Sequence, residues 1–382
     1  VSDPGVLLHL TTPAEWRAAL DAGAVTPPSL AEVGFVHLSS PEQVHLPAER
    51  LFRGRRDVVL LVVDPARLQH PVRLEPGVPG DPASMRFPHL YGPLPTAAVV
   101  AVVPWRAGAP LELPDPADPA ARARAMAVSL PVRRAPSTSD VPGAIAVHDP
   151  AFPHSRDDNR LLVTGDLDVD AIEALTARQA ADGGWPARTA TLLHPGAGPV
   201  AAALARRGWD VSSAVVLAHR GPFPAAADGP AEVVPQAAVH PLWDRSWRQE
   251  LTGTGPLLDE VVGQLVGREH RNDRVVQVVD LAVRADVGAG PEVVAALQLR
   301  VDGATASVES VLTDPRARRR GYADALLGAA LARAGAAGCD LVVLEAAEED
   351  WPRHWYSRRG FAEVGQVWDA VGQTGATAER TR

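Results

Sequence analysis

The chain has a single cysteine, Cys339, and no lysine. One thiol cannot close an intrachain disulfide or build a multi-cysteine zinc site, and such a composition fits a reducing compartment, the cytoplasm. All 37 basic side chains other than histidine are arginine; with abundant alanine, proline and glycine this is the composition of a GC-rich genome, a matter of coding and not of chemistry. Long apolar runs are missing too. No stretch approaches the roughly 20 residues of a membrane span, and residues 1–10 hold no basic segment leading into an apolar one, so neither membrane insertion nor export is expected. Positive charge is not in surplus: the formal charge is −9, and without a basic stripe or tail no nonspecific binding to nucleic acid or anionic membrane is expected.

What is present is ordinary for a globular protein: 46% of the 382 residues are hydrophobic and 22% charged. That length exceeds what one hydrophobic core organises, so two or three domains are expected. In residues 1–106, apolar runs at 6–10, 34–38, 58–63 and 99–103 predict strands and 13–22 a helix, together a small α+β domain. Residues 107–129, rich in Pro, Ala and Asp, predict a linker with at most a short helical segment. The unit 130–221 reads as strand 161–163, helix 168–182, strand 189–193, helix 198–207 and strand 213–219. After a Pro/Ala/Gly break, residues 229–372 read as helices 241–251 and 257–270, strands 275–285, 293–301 and 306–312, helix 321–337, strand 341–346 and helix 353–359. That order is α/β, and such folds hold ligands in the wedge at the ends of adjacent parallel strands. Residues 373–382 predict a flexible tail.

The segment Thr313-Asp-Pro-Arg-Ala-Arg-Arg-Arg-Gly-Tyr-Ala323 lies where a strand ends and a helix of small and apolar residues begins. A diphosphate needs several convergent backbone N–H donors, and a helix N-terminus supplies them with a favourable dipole. Gly321 and Ala323 permit close approach, while Arg316, Arg318, Arg319 and Arg320 add charge for phosphates. Alone, arginines beside a glycine describe a solvated helix start equally well. The pattern Arg318-x-x-Gly321-x-Ala323, however, resembles the pyrophosphate signature of the GNAT N-acetyltransferase family, and Trp355-Tyr356-Ser-Arg-Arg-Gly360-Phe361 resembles that family's closing segment.

The resemblance implies direct transfer of acetyl from acetyl-CoA, a co-substrate, to a primary amine of a small molecule or peptide, with no covalent enzyme intermediate. It places the backbone N–H near Val311 or Leu312 on the acetyl carbonyl, the stretch from Arg316 through Gly321, Tyr322 and Ala323 on the CoA phosphates, and Tyr356 as the acid that protonates the departing thiolate. Glu309, on the strand before the loop, is the candidate base, with Glu345 on the next strand a weaker competitor. Tyr356 also reads as a core aromatic beside Phe361, Glu309 as a plain surface carboxylate, and Cys339 as a small apolar packing residue. Trp243, Trp247 and Trp351 either line an apolar acceptor pocket or belong to the core.

The closing segment has a second echo in Ala203-Leu-Ala-Arg-Arg-Gly208-Trp209, so residues 130–221 resemble a degenerate GNAT-like copy. No Arg-x-x-Gly-x-Gly/Ala joins a strand to a helix there, and no tyrosine stands in the acid's place. That unit is expected to pack against the active copy and shape the acceptor site without catalysis. A tandem repeat supplies packing that single domains obtain by dimerising, so a monomer is expected.

Leu8-His9-Leu10-Thr11, Gly34-Phe-Val-His37-Leu-Ser39 and Phe87-Pro-His89-Leu-Tyr91-Gly92-Pro93 resemble the motifs of a bacterial domain family of unknown function whose fold is ADP-ribosyltransferase-like. The resemblance implies NAD or a related nucleotide in a cleft lined by His9, His37, Ser39, His89 and Tyr91. No acidic residue stands convincingly as the catalytic glutamate of such transferases. Plain structural histidines, or a zinc site completed by Glu75, remain alternatives, and no metal is assigned. Two further functions stay open: an acetyl-CoA or nucleotide sensor without turnover, and NAD chemistry in the N-terminal domain.

Overall fold

The computed structural model describes residues 5–77, 85–225, 229–251, 255–288 and 290–373; the expected tail beyond Gln373 lies outside them. The N-terminal domain is α+β. Strand Val59–Val63 is the centre of a three-stranded antiparallel sheet, flanked by Leu7–Thr11 and Val99–Pro104. All five of its residues are buried, because both faces are covered: Val59, Leu61 and Val63 pack with Trp16 of helix Pro13–Ala22, while Leu60 and Val62 pack towards Ala304. The helix has both signals that its sequence advertises. Thr12 and Glu15 form a capping box, and Pro13 opens the first turn. A second sheet joins Val36–His37, Arg86–Leu90 and Val72–Pro76.

Residues 119–134 form a 16-residue helix, Pro119–Arg134, where the composition suggests mostly linker. Asp118 caps it through the Ala120 N–H at 2.8 Å, Pro119 starts it, and an Ala/Arg run propagates it. It lies at the junction of all three units. Two of its arginines are buried, since each meets a carboxylate there: Arg122 pairs with Asp340 at 2.7 Å, and Arg133 with Asp302.

The middle and C-terminal units share one sheet of eleven strands. Its C-terminal part runs Glu232–Val234, Gln277–Asp286, Pro291–Asp302, Thr305–Thr313 and Leu341–Ala347. Next comes Asp210–Arg220, from the middle unit, then Ala362–Gly372, from the C-terminal unit, and then Arg188–Leu192, Arg160–Val163, Ala144–His148 and Ser137–Val141. Each unit therefore lends its last strand to the other. The two lent strands are antiparallel neighbours, paired from Asp210↔Val371 to Ala218↔Ala362. Each follows a glycine of positive φ, Gly208 at 85° and Gly360 at 88°. Residues 130–221 and 229–372 are thus halves of a pseudo-symmetric body, not two separately closed cores.

The N-terminal domain docks on the two-residue turn between Pro291–Asp302 and Thr305–Thr313. The Trp16 indole donates to Asp302 at 2.7 Å, and the Ala304 N–H donates to the Val99 carbonyl at 2.7 Å. Gly303 has φ 80°, and a Cβ there would sit 2.4 Å from the Val99 oxygen, so only glycine allows this approach. Among the described residues, no helix is long and apolar enough to cross a membrane.

Candidate active site

Strands Thr305–Thr313 and Leu341–Ala347 are parallel and pair only from Thr305↔Leu341 to Ser307↔Val343. Beyond Ser307 and Val343 they continue without pairing, which opens a wedge. On the wall of that wedge the strand bulges. Gln298 faces Glu309 and Ala296 faces Leu312, so Ser310 and Val311 together oppose Leu297, and Ser310 takes φ 52°. Such a bulge lifts backbone groups out of the ladder and turns them towards the opening. Val311 and Leu312 therefore stand at the wedge.

The loop below it reaches helix Tyr322–Ala336 through Gly321, which has φ 78° and no side-chain cap on the first helical N–H groups. A Cβ at Gly321 would meet nothing within 4 Å, so the space over this helix end is open. Arg318, Arg319 and Arg320 are exposed and form no ion pair among the described residues; Tyr322 and Ala323 are half-buried in the first turn. Arg316 differs from the expectation for a phosphate ligand. Its guanidinium is held by Asp314 at 2.7 Å and Glu292 at 3.0 Å, and in return holds the Asp314 carboxyl down to about 2. It clamps the loop to the neighbouring strand.

The alternation of the two strands sorts the remaining groups onto opposite faces. Ala306, Val308, Val342, Leu344 and Ala346 face helix Tyr322–Ala336, in the same core as Tyr356 and Phe361. Ser307, Glu309, Val343 and Glu345 line a cavity of about 280 Å³ on the other face. Tyr356 is a core aromatic: it is 6% exposed and packs edge-on against Trp355 at 4.8 Å and Phe361 at 5.6 Å. Burial, and then the Glu309 charge, push its hydroxyl well above the usual tyrosine range, so it keeps its proton at neutral pH.

The same carboxylate acts on Glu345. Glu345 itself is exposed to solvent, but the protein packed around the cavity, followed by the charge of Glu309, raises its carboxyl to about 7. Glu309 is half-exposed and has one distant cation, Arg300 at 3.8 Å. Of the two carboxylates, Glu345 is the one whose environment suits a proton acceptor near neutrality. The sequence puts Glu309 first as candidate base; the cavity both carboxylates line is built by exchanged strands, which leave no mark in local pattern.

The cavity's remaining wall is supplied largely from outside the C-terminal unit. Helix Pro119–Arg134 contributes Met126, Leu130 and Arg134; the middle unit contributes Asp157, Arg160, Leu162, Thr191 and Leu193; the lent strand contributes Asp369. Trp243 is a core residue, Trp247 packs against that core, and Trp351 is 66% exposed, so none of the three lines this cavity. At the middle unit's own closing segment, Leu204 stands four residues before its glycine where Tyr356 precedes Gly360, and it is fully buried.

In the N-terminal domain the named residues do converge. His37 and His89 are register partners with rings 5.0 Å apart, and His9 Nδ1 meets the His37 carbonyl at 2.9 Å. Phe35 stacks on His89 at 3.9 Å, and the Tyr91 hydroxyl donates to Glu75 at 2.7 Å. Ser39 is buried and pairs by its backbone with Leu8. Burial lowers all three histidines, chiefly by penalising the charged ring, so they are neutral at pH 7. Among the described residues, no group of three His, Cys, Asp or Glu is placed to hold a metal ion.

Comparison with known proteins agrees with this division. Residues 10–102 match the family described as protein of unknown function DUF952, and residues 236–361 match the acetyltransferase (GNAT) family. The chain thus carries an N-terminal domain of the DUF952 family and a GNAT-type acetyltransferase domain. Its solved relatives include a protein from Caulobacter crescentus at 32% identity, covering 27% of this chain and 89% of that one with a TM-score of 0.24. They also include a GCN5-related N-acetyltransferase from Kribbella flavida (18% identity, 69% and 98% covered, TM-score 0.46). A tandem GNAT protein from the clavulanic acid biosynthesis pathway is similar at 15% identity (54% and 70% covered, TM-score 0.36). No curated protein matches the chain.

Proposed function

We propose that the protein transfers acetyl from acetyl-CoA to a primary amine at the wedge between Thr305–Thr313 and Leu341–Ala347. The observation that carries this reading is the placement of complementary groups on its two faces: an open helix end with free arginines on one, and a cavity holding a carboxyl raised to about 7 on the other. Arg318, Arg319 and Arg320, with the N–H groups from Gly321 to Ala323, bind the phosphates, and Arg316 holds the loop in shape. The bulge at Ser310 and Val311 directs a backbone N–H at the acetyl carbonyl, where negative charge develops. Acetyl-CoA supplies the acyl group and a thiol leaving group.

The rest is proton movement by the chain's own side chains. Glu345 takes the proton from the incoming ammonium, directly or through water, and Glu309 keeps Glu345 basic by repulsion. Tyr356, kept protonated by burial, donates to the departing sulfur. Isothermal calorimetry with acetyl-CoA, and measurement of free CoA across a panel of amines, test the reading. Absence of CoA binding overturns it.

For the DUF952 domain we propose a nucleotide-sized ligand beside His9, His37 and His89, a reading supported by one polar atom. His89 is 1% exposed and its Nε2 lacks a hydrogen-bond partner. Titration with NAD and adenosine nucleotides, read by calorimetry, tests it; no heat from any of them refutes it.

A further inference from the structure

The cavity beyond the wedge has a charge pattern that selects among amines. Three of its arginines are matched at close range: Arg268 by Asp157 at 2.7 Å, Arg300 by Glu269 at 2.8 Å, and Arg134 by Asp158 at 3.0 Å. Three carboxylates are not. Glu345 forms no ion pair within 4 Å, Glu309 has only Arg300 at 3.8 Å, and Asp369 has the Thr191 hydroxyl at 2.6 Å and Arg160 at 3.7 Å. Among the described residues these three meet only Arg300, already matched by Glu269, and Arg160, which is shared with Asp157 at 3.4 Å. Five carboxylates, Asp157, Glu269, Glu309, Glu345 and Asp369, line the cavity against four arginines, an excess of one when all are ionised, and it falls on the side of Glu309, Glu345 and Asp369.

Two other features give the charge a direction. Ser307, on the same strand face as Glu309, is among the lining residues and 5% exposed, and its inaccessible hydroxyl has no hydrogen-bond partner among the described residues. Met126, Leu130, Leu162 and Leu193 form an apolar wall suited to methylene groups. Glu345 and Glu309 lie on the wedge strands, whereas Asp369 comes from the strand lent across to the middle unit, so carboxylates stand at separated places along the enclosure.

We propose that the acceptor is a small aliphatic di- or polyamine, with one amine at the wedge and a second, protonated one held by Asp369 across the cavity. This rests on the acetyl-transfer reading for its chemistry, but not for the binding itself. A free monoamine leaves the far carboxylate with only the shared Arg160 at 3.7 Å, and a carboxylate-bearing acceptor such as an amino acid meets repulsion from it there.

The test uses the full chain with CoA present and three compounds with the same reacting amine and similar spacers: hexamethylenediamine, hexylamine and aminohexanoate. They differ at the far end, which is a cation, a methyl group or a carboxylate. Calorimetry should give the diamine a Kd about tenfold or more below hexylamine, with aminohexanoate weakest, and the advantage should shrink as salt rises. With acetyl-CoA, KM should follow the same order. Asp369→Asn should narrow the gap between diamine and monoamine several-fold. Equal affinities, a preference for aminohexanoate, or better turnover of a lysine peptide would overturn the proposal. If the diamine binds in the expected order while no amine releases CoA, the transfer reading fails and the amine site stands; if the diamine does not bind, the amine site itself fails.

Discussion

Replacing Glu345 by Gln should remove an acidic limb from the pH profile of acetyl transfer. The Glu345 carboxyl is raised to about 7 by burial and by the negative charges of Glu309 and Asp369, with Arg160 opposing them. An acid whose ionisation is raised is a competent base only above that value. Turnover through Glu345 therefore falls as pH drops below about 7, and about one pH unit lower only about a tenth of the sites remain ionised, so kcat/KM falls about tenfold. The acceptor amine titrates roughly three units higher, so its own limb is separate. Glu345→Gln should lower kcat about 100-fold or more and abolish the lower limb while leaving the upper one. Glu309→Gln works as an internal probe. It removes the nearest like charge among the causes, so the limb should move to lower pH by about half to one unit without vanishing. Release of CoA thiol, followed from about pH 5.5 to 9 with any accepted amine, measures all three proteins. Full activity with an unchanged limb in Glu345→Gln would refute the assignment, and loss of the limb in Glu309→Gln instead would give the role to Glu309.

Tyr356→Phe should reduce kcat about 100-fold with acetyl-CoA affinity, read by calorimetry, changed less than about threefold; loss of binding would make Tyr356 a packing residue only. Two glycines of similar φ should respond differently to alanine. At Gly321 a Cβ meets nothing, so only backbone strain of about 1 kcal/mol is expected, whereas at Gly303 the Cβ would also strike the Val99 oxygen, and denaturant unfolding should show at least twice that loss. Asp302→Ala strands the buried Arg133 guanidinium and should cost about 3 to 5 kcal/mol in the same assay, against less than about 1 kcal/mol for Asp57→Ala, which breaks an exposed pair with Arg55. Similar losses for the two aspartates would show that the docking pair is not buried in solution.

Much of the architecture is legible in local pattern. Helix Tyr322–Ala336 and strand Leu341–Ala347 fall within a residue of expectation, because small apolar residues at helical spacing and a β-branched run differ in period. The loop before that helix is legible for a similar reason: glycine, alanine and arginine at a helix start are demands of the local backbone. The convergence of His9, His37 and His89 was likewise anticipated from three short motifs, but not the partnerless Nε2.

Helix Pro119–Arg134 shows where such reading stops. Arg122 and Arg133 belong, by composition, to a solvated surface, and they are buried only because Asp340 and Asp302, about 200 and 170 residues away, meet them. Strand Ala362–Gly372 is similar: its sequence does not say that its neighbours are Asp210–Arg220 and Arg188–Leu192. From those two long-range choices follow the cavity and the raised Glu345 carboxyl, whereas Arg316 is held by Asp314 and Glu292 on its own side of the sheet. The sequence by itself determined many of the elements and the arginine- and glycine-rich loop before helix Tyr322–Ala336, since these are set by periodicity and backbone chemistry over a few residues. Tertiary structure alone decided that the Glu345 carboxyl is raised and which charges line its cavity, because both depend on groups brought together from three distant parts of the chain.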